Sequence, residues 1–312
     1  MSEITTAERP PQPEWQSVTA ESLAAYRVAE NRFRASEAAR SILGRPDPDA
    51  TADWQEVRLP GRDVPVRVYR PSGLSQTPLP LVLHVHGGGF VGTATQCDWA
   101  NSHLAAQLPA VLVSVEHRLL DWATALPAAA DDGWEVLQHV VRHADRWGVD
   151  PARAAVFGES FGGLISALSA IRARATGLRL AAQVLVNPAV DVTGTMYEHA
   201  SMAEYGHGPG PALEQLRLLQ RLALPPGTDA RTLSPLYADA LGGLAPALVV
   251  VPTQDSVADH GRRYAERLRA AGTTARLTEY PGAVHAFLSL PGIQPQAEPA
   301  RAEILEFLRA AL

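Results

Sequence analysis

A short glycine-bounded segment around Ser160 has the strongest chemical implication in this sequence. It reads GESFGG over residues 158–163, follows the apolar run AAVF and precedes the helix-like LISALSAIRA. This pattern is typical of a strand that turns at once into a helix. The central serine must then take a strained left-handed conformation, and Gly158 and Gly162 must lack side chains because the backbones approach closely. The serine hydroxyl would stand clear of the sheet, where it can act as a nucleophile.

A serine is a poor nucleophile unless a base takes its proton and an acid orients that base. In a strand-turn-helix arrangement of this kind, the acid and then the histidine follow the serine, each after a later strand. Asp255 comes directly after the apolar run ALVVVP, and His285 follows the strand-like ARLTEY across Pro-Gly. We therefore predict Ser160, Asp255 and His285 as the catalytic residues. Asp259 is the alternative acid, although we expect it to cap a helix that starts near His260.

A glycine run, HGGG at residues 86–89, follows the strand-like PLVLHV. Such a run exposes backbone N–H groups that can converge on one point, as stabilisation of an oxyanion requires. We predict Gly87 and Gly88 as donors, joined by the N–H of Phe161, and the side chains of Phe90 and Phe161 as substrate contacts. The alternative is a phosphate-binding loop, but no Lys-Ser/Thr follows the glycine run.

Alternating strand-like and helix-like segments must position these residues. Nearly continuous apolar runs suit strands buried on both faces of a parallel sheet, and they lie at 80–86, 110–116, 154–158, 181–187 and 247–252. Helix-like stretches occupy about 96–108, 127–147, 162–175, 258–271 and 297–312. A period of two between Trp54 and Val68 predicts a hairpin. The alternation predicts an α/β fold with helices on both faces of the sheet.

Two segments lie outside this alternation. The polar, Pro-rich residues to about Gln16 predict a mobile arm, and residues 19–43 predict one helix. The segment 191–244 is long and rich in glycine and proline, with helical pieces near 197–205 and 212–223. We expect it to be a lid over the site; a purely structural excursion at the sheet edge is the alternative. The predicted division is residues 1–45 as arm and cap helix, and 46–312 as the main domain containing this insertion.

The composition excludes several function classes. With 33 acidic and 27 basic side chains, the formal charge of −6 argues against a nucleic-acid binder and a polybasic membrane anchor. The single cysteine, Cys97, excludes an intrachain disulfide and a cysteine-based zinc cluster, and we expect an inert buried thiol. No secretory h-region and no apolar run of about 18 residues is visible, so we expect a cytoplasmic protein without stable membrane association.

Together, HGGGF at 86–90 and GESFGG at 158–163 resemble the hormone-sensitive-lipase-like (bacterial family IV) esterases of the α/β-hydrolase superfamily. VDPAR at 149–153, DSVADHG at 255–261 and HAF at 285–287 are similar to further motifs of that family. The resemblance implies an α/β-hydrolase fold, with a mostly parallel eight-stranded sheet under a helical cap. It also implies hydrolysis of small carboxylic esters, mainly short-chain, with Asp255 as the acid and without a metal or other cofactor.

The sequence departs from the family pattern at several positions. HRLLDW at 117–122 stands where the family usually has YRLAPE. At the turn around Ser160, which we call the elbow, Glu159 and Phe161 replace the usual Asp and Ala. In the two later motifs, Ser256 replaces a proline and Ala286 replaces a glycine. The bulky Phe161 should reshape the acyl side of the pocket. An amide or lactam hydrolase, an acyltransferase acting on a specific metabolite, and a non-catalytic small-molecule receptor therefore remain as alternatives. A homodimer is left open.

Four further side chains are interpreted from their positions in the sequence. Glu159 either braces the elbow or pairs with a basic neighbour such as Arg118, and the two interpretations have equal weight. His117, His207 and His260 lack the position after a strand that the base requires. We interpret these histidines as structural or pocket-lining.

Overall fold

The computed structural model describes residues 8–73, 78–208 and 211–312. Its centre is one sheet of eight strands. They are β1 (Ala50–Leu59), β2 (Arg62–Pro71), β3 (Leu79–Val85), β4 (Val111–Val115), β5 (Val149–Glu159), β6 (Ala182–Val186), β7 (Ala247–Gln254) and β8 (Ala275–Val284).

The strand order in the sheet is β1-β2-β4-β3-β5-β6-β7-β8. The hairpin β1–β2 and the β2–β4 pair are antiparallel, and all remaining neighbours are parallel. Every residue of β4 and β6 is buried, as expected for central parallel strands with helices on both faces. The predicted α/β-hydrolase fold with a mostly parallel sheet is confirmed.

Helices cover both faces of the sheet. The α-helices are α1 (Ala20–Arg34), α2 (Arg40–Leu43), α3 (Asp98–Gln107), α4 (Leu126–Arg142), α5 (Ala144–Trp147), α6 (Phe161–Thr176), α7 (Ala200–Tyr205), α8 (Leu213–Ala223), α9 (Ala258–Ala270) and α10 (Ala297–Ala311). Along β3, Leu81 and Leu83 belong to the apolar cluster that contains α4 and α6, whereas Val82 belongs to the cluster with α3 and α10. In the part of the chain that the structure describes, no helix has both the length and the apolar character needed to cross a membrane.

The N-terminal helical region differs from the prediction of one helix over 19–43. Thr19 caps α1 in a reciprocal pair of hydrogen bonds with Ser22, as a capping box requires. The helix then ends at Arg34, and a short 3₁₀ turn precedes α2. At the break, Ser36 has extended backbone angles and its hydroxyl donates to the Phe33 carbonyl at 2.6 Å. A serine side chain that bonds the preceding turn competes with continuation of the helix.

The prediction of a mobile N-terminal arm is wrong for residues 8–16; residues 1–7 lie outside the described part of the chain. Trp15 is buried, and its ring lies 5.5 Å from that of Tyr26 and 5.3 Å from that of Phe90. Arg9 also pairs with Glu30 at 3.1 Å. A large aromatic ring gives a short segment enough apolar contact to be ordered, despite its polar, Pro-rich composition.

The segment 191–244 contains helices near both predicted positions, α7 and α8, together with short 3₁₀ turns. The apolar residues of α8 are buried in the same cluster as Trp15 and Leu23 of the N-terminal region; they include Leu216, Leu219 and Leu222. Trp15, α1 and the 191–244 segment therefore share one apolar cluster, together with residues of the sheet.

Candidate active site

Ser160 lies at the turn from β5 into α6, with φ 56° and ψ −117°. Its backbone N–H donates to the Val186 carbonyl of β6 at 2.9 Å, which anchors the turn to the next strand. A Cβ atom on Gly158 would lie 2.2 Å from the Gly162 carbonyl oxygen, and one on Gly162 would lie 2.1 Å from the Val85 carbonyl oxygen. The turn therefore has the strained serine and the two obligatory glycines that the sequence predicts.

The structure brings together the three residues predicted as catalytic. The Oγ atom of Ser160 lies 2.7 Å from Nε2 of His285, and Nδ1 of His285 lies 2.8 Å from Oδ2 of Asp255. Asp255 is fully buried, and its Oδ1 accepts from the backbone N–H of Val257 at 3.0 Å. The carboxylate accepts a hydrogen bond from the Nδ1–H of His285. The other ring nitrogen, Nε2, therefore has a free lone pair that faces the serine hydroxyl.

His285 has an environment that favours its protonated form. Burial alone would lower the pKa of the imidazole, but the charge and hydrogen bond of Asp255 and the charge of Glu159 outweigh burial. The pKa of His285 is therefore raised above the ordinary value of 6.5. A base with a raised pKa is a stronger proton acceptor for the serine hydroxyl.

Asp259, the alternative acid, does not contact His285. Its carboxylate accepts from the backbone N–H of Ser201 in α7 at 2.9 Å and from Arg262 at 2.9 Å. The prediction that it caps a helix starting near His260 is also wrong, because α9 begins at Ala258 and Asp259 lies inside its first turn. Asp259 instead joins α9 to the 191–244 segment.

The glycine run lies beside the elbow, and we call residues 87–92 the oxyanion loop, after the role that the sequence predicts for it. A Cβ atom on Gly87 would lie 3.2 Å from the Glu159 carbonyl oxygen and 3.5 Å from Cβ of Ser160. Gly88 has φ +101°, and a Cβ atom there would lie 1.8 Å from the Val91 carbonyl oxygen. No L-side chain fits at Gly88, so the glycine is required by the shape of the loop.

Glu159 does not pair with Arg118, which instead pairs with Asp132 at 2.9 Å. The Glu159 carboxylate accepts a hydrogen bond from the hydroxyl of Ser289, in the 3₁₀ turn Phe287–Ser289 just after His285. Glu159 is 1% exposed, and burial raises the pKa of its carboxyl. The Glu159 side chain therefore connects the elbow to the 3₁₀ turn that follows His285, as one of its two interpretations from the sequence states. Ser289 has no motif that could have identified it from the sequence.

A cleft of about 550 Å³ opens at Ser160 and His285. The N-terminal region and the 191–244 segment both contribute to its walls. Its charged and amide residues, which sequence reasoning missed, come from separate parts of the chain and include Arg9, Glu30, Arg34, Gln96, Gln215 and Gln294. Its apolar wall includes Phe33, Ile42, Leu216, Leu219, Val257 and Ile293. The cleft is thus mainly apolar with a smaller number of polar groups, as small-molecule sites commonly are.

Both phenylalanines predicted as substrate contacts lie at the cleft, but in different settings. Phe90 lines it and packs against Trp15. Phe161 also lines it, yet its side chain is only 1% exposed and its ring lies 5.7 Å from that of His117. The Phe161 ring lies against the oxyanion loop, because a Cβ atom on Gly89 would be 3.3 Å from it.

The other predicted structural side chains are mostly buried. His117 stacks on His86 with ring centroids 4.3 Å apart, and burial lowers the pKa of each to about 4. Cys97 is buried, and burial raises the pKa of its thiol, as expected for an inert cysteine. His207 is exposed.

Among the described residues, one buried group combines side chains that ligate metals, namely Asp191, His199 and His260. The hydrogen bonds of the two histidines argue against a metal site, because they use the ring nitrogens that would bind the ion. Arg263 donates to Nδ1 of His199 at 3.0 Å, and the Asp191 backbone N–H donates to Nδ1 of His260 at 3.3 Å. Each neutral ring then carries its proton on Nε2 and has no free lone pair. We interpret the group as a hydrogen-bonded connection between the 191–244 segment and α9.

Comparison with known proteins identifies the family. The α/β-hydrolase fold family matches the chain over residues 82–289. The chain belongs to this family. The hydrolase is 34% identical over 297 residues to the carboxylesterase NlhH of Mycobacterium tuberculosis, covering 91% of this chain and 89% of that protein. It is 31% identical over 301 residues to an ethyl acetate hydrolase of Pseudomonas putida, covering 92% of each.

A solved structure also resembles the hydrolase over nearly its whole length. It is a thermophilic carboxylesterase cloned from a metagenomic library, with a TM-score of 0.84 and 30% identity over 95% of this chain and 98% of that one. The predicted membership of the hormone-sensitive-lipase-like esterases is confirmed.

Proposed function

We propose that this hydrolase is a serine carboxylesterase in which Ser160 attacks the acyl carbon of a bound ester. His285 takes the hydroxyl proton at Nε2 and gives it to the departing alcohol, and Asp255 stabilises the imidazolium that forms. Water then attacks the acyl-enzyme by the same proton route and releases the acid. The observation that carries the proposal is the 2.7 Å contact from Ser160 Oγ to His285 Nε2, with Asp255 2.8 Å behind the ring.

The proposed oxyanion donors are the backbone N–H groups of Gly87, Gly88 and Phe161. Phe161 is the first residue of α6, so its N–H has no partner within the helix and lies at the positive end of the helix dipole. Gly87 lies against the elbow. This position supports the proposal that the loop and the start of α6 donate to the same acyl oxygen. Donors placed where charge develops stabilise the tetrahedral intermediate more than the substrate.

We propose small esters with short acyl chains as the substrates. The cleft of about 550 Å³ accommodates a small molecule, and the relatives include a protein named for ethyl acetate hydrolysis. We also propose that the described residues of the 1–45 segment, 8–45, form a cap with the 191–244 insertion of the main domain, because both segments line the cleft. The chemistry assigned to these residues requires no cofactor. A cytoplasmic location stays a prediction from the sequence, which leaves homodimer assembly open.

The test is turnover of p-nitrophenyl esters with acyl chains of increasing length, beside matched p-nitroanilides. We expect the highest kcat/KM with short esters and a loss on the order of 10⁵-fold or more in kcat for Ser160→Ala. A fluorophosphonate should label the parent protein and not that variant. Label on Ser160 with turnover only of anilides would favour the amidase alternative. A protein that neither reacts with the probe nor hydrolyses esters would contradict the proposal and favour a receptor.

A further inference from the structure

The first helix carries polar side chains that contact the backbone of the oxyanion loop. Arg27, Asn31 and Arg34 are four and three residues apart on α1, so they project from one face of the helix. The Nε of Arg27 donates to the Phe90 carbonyl at 2.9 Å, and its second guanidinium nitrogen donates to the Leu120 carbonyl at 2.6 Å. One face of α1 therefore joins the loop to a neighbouring segment.

Asn31 makes a paired contact with the far end of the loop. Its Nδ2 donates to the Gly92 carbonyl at 2.8 Å, and its Oδ1 accepts from the Gly92 N–H at 3.0 Å. Both polar groups of one glycine are thereby bound by one side-chain amide. A glycine has little conformational preference of its own. The two hydrogen bonds from Asn31 therefore restrict the backbone conformation of the loop at Gly92.

Arg34 reaches the near end of the loop through Gln96. Arg34 donates to Oε1 of Gln96 at 2.7 Å, and Nε2 of Gln96 donates to the Gly87 carbonyl at 3.2 Å. Nδ1 of His86 bonds the same carbonyl at 2.9 Å. In a planar trans peptide, the carbonyl of Gly87 and the N–H of Gly88 point in opposite directions. Donors that hold this carbonyl therefore also orient the Gly88 N–H, the proposed oxyanion donor.

We propose that the polar face of α1, formed by Arg27, Asn31 and Arg34, together with Gln96, is a clamp that holds the oxyanion loop in its donating shape. These are positioning residues. Gln96 acts on the Gly87 carbonyl directly, and Asn31 acts through Gly92, where a Cβ atom would lie 2.5 Å from that carbonyl oxygen. The clamp gives the first helix a part in transition-state stabilisation in addition to enclosing the cleft. The inference rests on the proposed esterase function.

Asn31→Leu is the most direct test, because Asn31 is half-buried and is not among the residues that line the cleft. Removal of a complete oxyanion donor costs about 10²–10³ in kcat, so a misoriented donor should cost on the order of 10-fold. We expect that loss in kcat for p-nitrophenyl acetate with KM nearly unchanged. Affinity for a trifluoromethyl ketone, whose hemiketal with Ser160 carries the oxyanion, should fall by the same factor.

Gln96→Met provides the second variant and should lower kcat and ketone affinity by the same factor; because Gln96 lines the cleft, the KM criterion applies to Asn31→Leu alone. Arg32→Ala, an exposed position on the same helix, is the matched control and should leave kcat unchanged. Fluorophosphonate titration gives the folded, active fraction, so that all rates refer to competent sites. Unchanged kcat and ketone affinity in Asn31→Leu would overturn the clamp while the parent enzyme still hydrolyses esters. Absence of ester turnover in the parent would instead contradict the proposed function.

Discussion

The carboxylate of Glu159 accepts a hydrogen bond from the hydroxyl of Ser289, so the residue before Ser160 is bonded to the turn after His285. Burial raises the pKa of Glu159, whereas the Ser289 bond and the nearby His285 act in the opposite direction. The charge of Glu159 in turn contributes to the raised pKa of His285. This pair therefore couples the electrostatics of the elbow to those of the base.

Glu159→Gln should move the acid limb of the kcat/KM profile to lower pH. The amide still accepts from Ser289, but the negative charge that helps to raise the pKa of His285 is gone. Profiles of kcat/KM between about pH 5 and 9 would measure the shift, with the melting temperature as a check on folding. An unshifted acid limb would mean that Glu159 acts through packing alone.

Ser289→Ala should lower stability and not only activity. It removes the hydroxyl that donates to a buried carboxylate, and the loss of such a hydrogen bond costs about 1–3 kcal/mol in the free energy of unfolding. Urea denaturation would measure the change. A variant as stable as the parent would show that another group satisfies the Glu159 carboxylate.

Asp255→Asn should change both the rate and its pH dependence. His285 must be neutral to accept the serine proton, so kcat/KM falls as the pH drops through its raised pKa, above 6.5. Loss of the Asp255 charge removes the main cause that raises this pKa, so the acid limb should move to lower pH. At the plateau, kcat should fall on the order of 10⁴-fold because the ring loses its required tautomer. If Asp259→Asn proved more damaging, Asp255 would not be the acid.

The three residues proposed as catalytic could be predicted because each is tied to the end of a recognisable strand. Ser160, Asp255 and His285 follow apolar or strand-like runs, and parallel strands bring their carboxyl ends to one edge of the sheet. Spacing along the chain was therefore enough to find three residues that meet in space. The two glycines of the elbow followed from the same strand-turn-helix geometry.

The supporting contacts could not be predicted, because they join residues far apart in sequence without a motif. Arg34 and Gln96 are 62 residues apart, and Glu159 and Ser289 are 130 apart. Each pair depends on the packing of whole elements and not on local pattern. The ordered arm was missed for a related reason, since one residue, Trp15, outweighs the polar composition around it.

Ala286→Gly should stabilise the protein slightly. Ala286 has φ 60° and ψ 22°, a left-handed conformation that costs an L-residue about 1–2 kcal/mol. Glycine removes that strain, but it also increases the conformational entropy of the unfolded chain, which lowers stability by about 0.4–1 kcal/mol. The net gain in the free energy of unfolding should therefore be on the order of 0.5 kcal/mol. The urea midpoint should rise, with an unchanged slope. A lower midpoint would show that the Ala286 methyl makes contacts worth more than the strain.

The side chain of Phe161 is the clearest difference between this enzyme and the family pattern, and its ring lies against the oxyanion loop at the edge of the cleft. Phe161→Ala should lower stability by about 3–5 kcal/mol, because a buried ring is replaced by a cavity. The backbone N–H of residue 161 remains, so ester turnover should continue.

The space opened by Phe161→Ala should also change the acyl preference, because it adjoins the cleft beside Ser160. Each additional buried methylene is worth about 0.8 kcal/mol, which corresponds to a several-fold change in relative kcat/KM per carbon if the contact persists in the transition state. We therefore expect p-nitrophenyl butyrate and hexanoate to gain relative to acetate, at a temperature well below the lowered melting point. Phe161→Leu should give an intermediate profile. A lower melting temperature with an unchanged acyl-length profile would show that the ring only fills the core beneath the loop.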